Sequence, residues 1–304
     1  MSNETFVVTG ATGNIGSHLA ETLLKNGQNV RVIGRSKERL QRLVDQGAKA
    51  AVGDLADTQF LTESFRGAKA VFAMIPPSFT AQNFRKYQGE ISDSLVRAIR
   101  DSGVRYVVAL SSLGAYQPEG TGPITGLYDF EQKLNGLDGV NVLMLRPTFF
   151  MENLYDGIPA IRNMGVNGSG IRPDIAFPMI AARDIAAVAA EAMENSRFSG
   201  KQVRDLLGPR DVSMNEATRV IGKAIGKEDL QYVQFPYEAV EQALRGAGAS
   251  ESLIKELVEM TQWLNASEGR FNLVRNQENT TPTTIEEFAS DFASAYEVGK
   301  AHSA

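Results

Sequence analysis

Three glycines at three-residue steps stand near the N-terminus, in the run Gly10-Ala11-Thr12-Gly13-Asn14-Ile15-Gly16. A strand-like stretch, 5–9, leads straight into them, and Ile15, Leu19, Leu23 and Leu24 follow at helical spacing. Between a strand and a helix each glycine has a physical task. Gly10 turns the chain off the strand, Gly13 lets a pyrophosphate approach the backbone, and Gly16 lets helix and strand pack closely. The free N–H groups at the start of that helix, and the positive end of its dipole, suit phosphate. Gly10, Thr12, Gly13, Asn14, Ile15 and Gly16 are therefore read as dinucleotide-binding residues.

The end of the second strand bears on which dinucleotide. A site for NADH places Asp or Glu there, accepting from both ribose hydroxyls. This sequence has Ile33-Gly34-Arg35-Ser36 instead. A carboxylate repels a 2'-phosphate, whereas Arg35 can pair with one bidentately and Ser36 can donate to it. The reading is NADPH rather than NADH; the alternative is a solvated arginine at a helix start. After the third strand, Gly53-Asp54-Leu55 falls where the adenine would lie. Asp54 either accepts from the exocyclic amine or caps a helix, and Leu55 is assigned to the same site.

Chemistry beyond binding is harder to place. There are no cysteines and two histidines, His18 and His302, with no His-Glu-x-x-His spacing, which argues against thiolate and zinc catalysis. Many dehydrogenases use Tyr-x-x-x-Lys, the lysine lowering the tyrosine's pKa. Of eight tyrosines only Tyr296, with Lys300, has that spacing, and chance explains it better in a C-terminal tail. Tyr128 follows the fifth strand at a suitable remove, with Lys133 one position too far along a helix to share its face. Two readings stand: Tyr128 and Lys133 form a catalytic pair, or they are a cleft-lining aromatic and a surface cation. Phe149, Phe150, Met151 and Tyr155 offer either an apolar wall for a conjugated substrate or an ordinary core.

Strand-like runs at 5–9, 30–33, 48–52, 70–75, 106–110 and 140–145 alternate with helical spacing at 15–25, 37–45, 58–65, 81–101 and 128–134. Such alternation predicts an α/β class, a doubly wound parallel sheet of Rossmann type, over residues 1–150. Residues 151–304 are expected to form a smaller, mainly helical C-terminal lobe for substrate, with some segments returning to the sheet. Thr283-Thr284-Ile285-Glu286-Glu287 predicts a capped start to the last helix. A net charge of -5 without basic runs argues against nucleic acid as a partner. The alanine-rich stretch near 181–193 is broken by Arg183, Asp184 and Glu191, which argues against a membrane span. The first residues leave no room for a signal peptide, so a cytoplasmic location is expected.

With these features the chain resembles an atypical short-chain dehydrogenase/reductase of the NmrA-like family. Further matches are Ala109-Leu110-Ser111-Ser112, the run Leu145-Arg146-Pro147-Thr148-Phe149-Phe150-Met151-Glu152-Asn153, Ala182-Arg183-Asp184-Ile185-Ala186, and Thr281-Pro282-Thr283-Thr284-Ile285-Glu286-Glu287-Phe288. The resemblance implies that Met74, Ile75 and Pro76 line the nicotinamide-ribose side. It likewise places Ser111, Ser112, Thr148, Phe149 and Phe150 near the ring. It implies an NADPH-dependent reductase of a quinone, azo dye or related conjugated small molecule, with a homodimer as one assembly. Its alternative is a non-catalytic NADP(H)-sensing regulator that binds a partner protein.

Overall fold

The computed structural model describes residues 4–301, with side chains as far as residue 298; His302 and the side chain of Lys300 lie outside the described residues. The first half alternates β1 (Thr5–Val8), α1 (Asn14–Lys25), β2 (Asn29–Gly34), α2 (Lys37–Asp45) and β3 (Lys49–Val52). It continues with α3 (Thr58–Phe65), β4 (Ala68–Ala73), α4 (Phe84–Ser102), β5 (Tyr106–Leu110), α5 (Pro123–Asn135) and β6 (Asn141–Pro147). Then come β7 (Phe149–Phe150), a 3-10 turn at Met151–Gly157, α6 (Ile158–Met164), β8 (Val166–Ser169) and β9 (Ala176–Ile180). The remainder is α7 (Ala182–Asn195), β10 (Lys201–Leu206), β11 (Asp211–Ser213), α8 (Met214–Ala224), β12 (Gln231–Gln234), α9 (Tyr237–Gly246), α10 (Glu251–Ser267) and α11 (Ile285–Ala301). The chain divides into two compact units, one of residues 1–119, 123–146 and 182–205, the other of 120–122, 147–181 and 206 onward.

The first unit is built on a seven-stranded sheet in the order β10-β6-β5-β4-β1-β2-β3. Neighbours from β6 to β3 pair in parallel. Val142 N–H donates to Gly200 O and Thr148 N–H to Leu206 O at the same sequence offset, so β10 is parallel as well. The strand order reverses between β1 and β4, the switch point at which open α/β sheets bind ligands. Val7, Val71, Ala73, Val107, Ala109, Val142 and Met144 face one core, packed by Leu61 and Phe65 of α3, Ile91 and Leu95 of α4, and Phe130 and Leu134 of α5. The intervening residues, among them Val8, Val32, Phe72 and Val108, are buried too, on the face that α1, α2 and α7 cover. Burial on both faces explains why these strands read as continuous apolar runs. β10 does not: Gln202 and Val203 are exposed, because it is an edge strand.

The second unit has its own core of Phe177, Met179, Ile221, Phe288 and Phe292. Its sheets are small: β11-β9-β7, and a parallel pair of β12 with β8. The 167–170 stretch, which reads as turn chemistry, is a strand in the structure as far as Ser169 because β12, some sixty residues on, supplies its ladder partner. The helix expected from residue 128 starts at Pro123, and the one expected from 81 starts at Phe84 behind its cap Asn83. The last helix opens on a reciprocal cap, Thr284 Oγ1 accepting from Glu287 N–H (3.1 Å) while Glu287 Oε2 accepts from Thr284 N–H (2.8 Å). Among the described residues no helix is long and apolar enough to cross a membrane.

Phe130 joins α5 to the sheet from a fully buried position. Truncation to alanine removes its contacts and leaves a cavity that the surroundings fill only in part. Phe130→Ala is expected to lower stability by about 3–5 kcal/mol, read as a lower urea midpoint at unchanged slope.

Candidate functional site

β1 and β4 are tied at the switch point by Thr9, whose N–H (3.1 Å) and hydroxyl (2.9 Å) both donate to Phe72 O. The same hydroxyl accepts from Met74 N–H (3.1 Å). The chain then turns at Gly10, in the left-handed region with φ of +62°, and Met74 Sδ sits 2.6 Å from where a Cβ on Gly10 would be. At Gly16 a Cβ would overlap the Gly10 carbonyl oxygen, so α1 rests directly on the turn. Gly13 differs: its Cβ would meet only the Gly10 carbonyl oxygen, at an ordinary 3.4 Å. The protein itself leaves room there.

α1 begins without a side-chain cap and without an acidic residue in its first turn. By contrast Ser36 caps α2, Asp57 caps α3 and Asn83 caps α4. The backbone N–H groups of Asn14, Ile15 and Gly16 thus point away from the helix with no capping side chain among the described residues. Asn14 is exposed and Ile15 is buried beneath it.

Beside this turn lies a cavity of about 110 Å³ lined by Gly10, Thr12, Ile33, Gly34, Arg35, Gly53, Asp54, Leu55, Pro76, Tyr87 and Ile91. Six of the residues singled out from sequence meet here: Gly10, Thr12, Arg35, Asp54, Leu55 and Pro76. Arg35 is exposed and has no ion-pair or hydrogen-bond partner among the described residues. Asp54 does not cap α3, a role that falls to Asp57, which accepts from Phe60 N–H (3.0 Å). One Asp54 oxygen instead closes a local turn by accepting from Ala56 N–H (2.9 Å). Tyr87 had no sequence signal, since it stands on a long amphipathic helix whose face toward the cavity only the packing fixes.

Other selected residues are engaged elsewhere. Ser36 accepts from Arg39 N–H (3.2 Å) and donates to Glu38 Oε2 (2.7 Å), so its proton is not turned toward Arg35. That bond holds the Glu38 carboxyl below its usual range. Ile75 packs on the sheet core. Ser112 donates to Leu113 O (3.1 Å). Lys133 Nζ bonds Asp93 (2.6 Å) and Ser92 (2.7 Å) on α4, and Tyr128, half-buried, has no hydrogen-bond partner among the described residues. Among the described residues no hydrogen bond joins the two. Tyr296 is buried in the second unit's core under the Arg162 guanidinium.

Ser111 belongs to a buried network that the sequence did not reveal. Its hydroxyl donates to Glu131 Oε1 (2.5 Å), and Arg146 holds Glu131 bidentately at 2.8 and 2.5 Å. The Glu131 side chain is 2% exposed. Asp205 stands near this pair; burial raises its pKa, with Arg146 opposing and Glu131 adding to the shift. In the second unit, Phe149 packs edge-on to Phe177 and Tyr155 against Phe288 and Phe292, while Phe150 is half-buried. Thr148 is buried with its hydroxyl unpartnered among the described residues.

This sheet order, reversing beside a glycine turn and an open helix start, is that of doubly wound nucleotide-binding proteins. The sequence pattern of the NmrA-like family matches residues 2–289, and the chain belongs to that family. It is 27% identical to an NAD(P)H azoreductase of Xenophilus azovorans, over 84% of this chain and 85% of that protein. In fold it is similar to an NADPH-dependent quinone oxidoreductase of Escherichia coli solved with NADPH, at a TM-score of 0.77 and 23% identity over 94% and 99% of the two chains. It is similar also to a triphenylmethane reductase of Citrobacter sp. solved with NADP(H), at a TM-score of 0.78 and 19% identity over 95% and 99%.

The Glu131–Arg146 pair allows a test of what is buried at the ends of β5 and β6. Arg146→Met strands the Glu131 charge and is expected to cost about 3–5 kcal/mol. Glu131→Leu combined with Arg146→Met should recover most of that loss in chemical denaturation, because the buried Glu131 charge is removed together with its partner.

Proposed function

We propose that the chain binds NADPH in the switch-point cavity and reduces a small, conjugated, apolar acceptor such as a quinone or an azo dye. The observation that carries this reading is Arg35, unpaired at the tip of β2 and lining a cavity that reaches back to Gly10 and Thr12, in the turn that leads to the uncapped start of α1. The residues fit the cofactor. The N–H groups of Asn14, Ile15 and Gly16 suit its pyrophosphate, and the room left at Gly13 lets the phosphates come close. Arg35 suits the 2'-phosphate, and the second oxygen of Asp54 suits a base amine. Leu55, Ile33 and Ile91 give the base an apolar bed. When bound, NADPH supplies a hydride.

Relatives named for azo-dye, quinone and triphenylmethane-dye reduction support the acceptor class. So does the position of Lys133, which is bonded to Asp93 and Ser92 on α4 rather than to Tyr128. A conjugated acceptor that takes up hydride becomes a delocalised anion, which solvent water can protonate. The protein's task is then orientation and exclusion of water rather than acid catalysis. Phe149, Phe150 and Tyr155 are the aromatic side chains we assign to that acceptor.

Two measurements check this. Loss of NADPH absorbance against a panel of quinones and azo dyes should show turnover with at least one class; tight NADPH binding without turnover by any would favour the sensing regulator instead. Arg35→Ala should weaken NADPH binding by about 10–100-fold, the scale of a charge-assisted hydrogen bond, and NADH binding by far less. Equal losses for both cofactors would remove Arg35 from the 2'-phosphate.

A further inference from the structure

Tyr87 lies near the start of α4, which Asn83 caps, and it lines the cavity together with Arg35, Asp54, Leu55 and Pro76. Its side chain is half-buried, and its hydroxyl donates to the Pro76 carbonyl (3.0 Å). Ile91, one helical turn further along α4, lines the same cavity. Both charged side chains of the cavity act on the phenol: burial raises its pKa most, Arg35 lowers it and Asp54 raises it. The net upward shift keeps the hydroxyl protonated at neutral pH, hence a donor to Pro76.

From the dinucleotide reading above, and resting on it, we propose that Tyr87 is a positioning residue for NADPH that acts at both ends of the cavity. Its ring is the aromatic wall against which the adenine packs. Its hydroxyl ties the segment after β4, which carries Met74, Ile75 and Pro76, to the adenosine pocket. Among the described residues no other aromatic side chain lines this cavity. A planar base beside an aromatic face gains stacking that an aliphatic wall of the same volume does not give, and loss of one such face weakens binding by about tenfold or more. The tether has a different consequence. The Pro76 carbonyl is held from α4, so the loop beginning at Met74 is fixed relative to the base, and freeing it loosens the nicotinamide end while the ring of Tyr87 stays in place at the adenosine end.

The two roles separate in two variants of the full chain. Binding of 2',5'-ADP, which has the adenosine half alone, is measured by calorimetry, and hydride transfer from bound NADPH to a soluble quinone by stopped flow. Tyr87→Leu keeps the bulk without the ring and is expected to weaken 2',5'-ADP by about tenfold. Tyr87→Phe keeps the ring without the hydroxyl: its affinity for 2',5'-ADP should stay within about twofold while hydride transfer slows several-fold. Tyr87→Leu binding 2',5'-ADP like the parent, with an unchanged melting temperature, overturns the wall. Tyr87→Phe transferring hydride at the parent rate overturns the tether. Should the parent protein bind neither 2',5'-ADP nor NADPH, the dinucleotide reading itself falls; parent binding with indifferent variants removes Tyr87 alone.

Discussion

The contact between Gly16 and the Gly10 carbonyl sets the geometry of the whole switch point. Any side chain at Gly16 would push α1 away from the turn, and with it the only uncapped helix start among those whose capping is described on this edge. Seated as it is, α1 directs its first N–H groups past Gly13 into open space, where a dipole end and three unbonded donors favour an anion. Thr9 fixes the other side of the turn by holding β1 to β4 just before the strands part. The open helix start is therefore a consequence of packing, and the polar character of the neighbouring cavity is left to the tips of β2 and β3.

At those tips, what decides a residue's role is whether a neighbour has already claimed its polar atoms. Arg35 and Ser36 are adjacent, yet only Arg35 is free, because the N-cap position spends Ser36 on Arg39 N–H and Glu38. The same logic separates Asp54 from Asp57: three residues apart, one caps α3 and the other keeps an oxygen for the cavity. Lys133 is the clearest case. On an extended reading it follows Tyr128 closely, but the helical turn carries it round to Asp93 and Ser92, where the pair of charges satisfies it.

Much of the fold was legible because each signal was local. The parallel strands of the first unit are buried on both faces and so are apolar without interruption, and Gly10, Gly13 and Gly16 have no other economical explanation than a turn under a helix. What was not legible depends on partners distant in sequence. β8 is a strand only because β12 pairs with it, and β10 has an edge strand's mixed surface. Tyr87 and Glu131 each sit on a helix among many polar neighbours. One lines a cavity and the other is buried against Arg146, but helical spacing alone cannot distinguish those fates.

The Ser111–Glu131–Arg146 network constrains how any reduction here is completed. Ser111 spends its proton on a carboxylate that Arg146 holds in place, so its hydroxyl oxygen can accept a hydrogen bond but cannot donate one to a developing anion. Lys133 is bonded to Asp93 and Ser92 rather than to Tyr128. A carbonyl whose reduction yields a localised alkoxide needs a donor at that atom, and Ser111, its proton committed to Glu131, is not one. An acceptor whose charge spreads over a conjugated system makes no such demand. For the quinone-like and dye-like acceptors proposed above, holding two flat molecules together in a dry site is most of the chemistry.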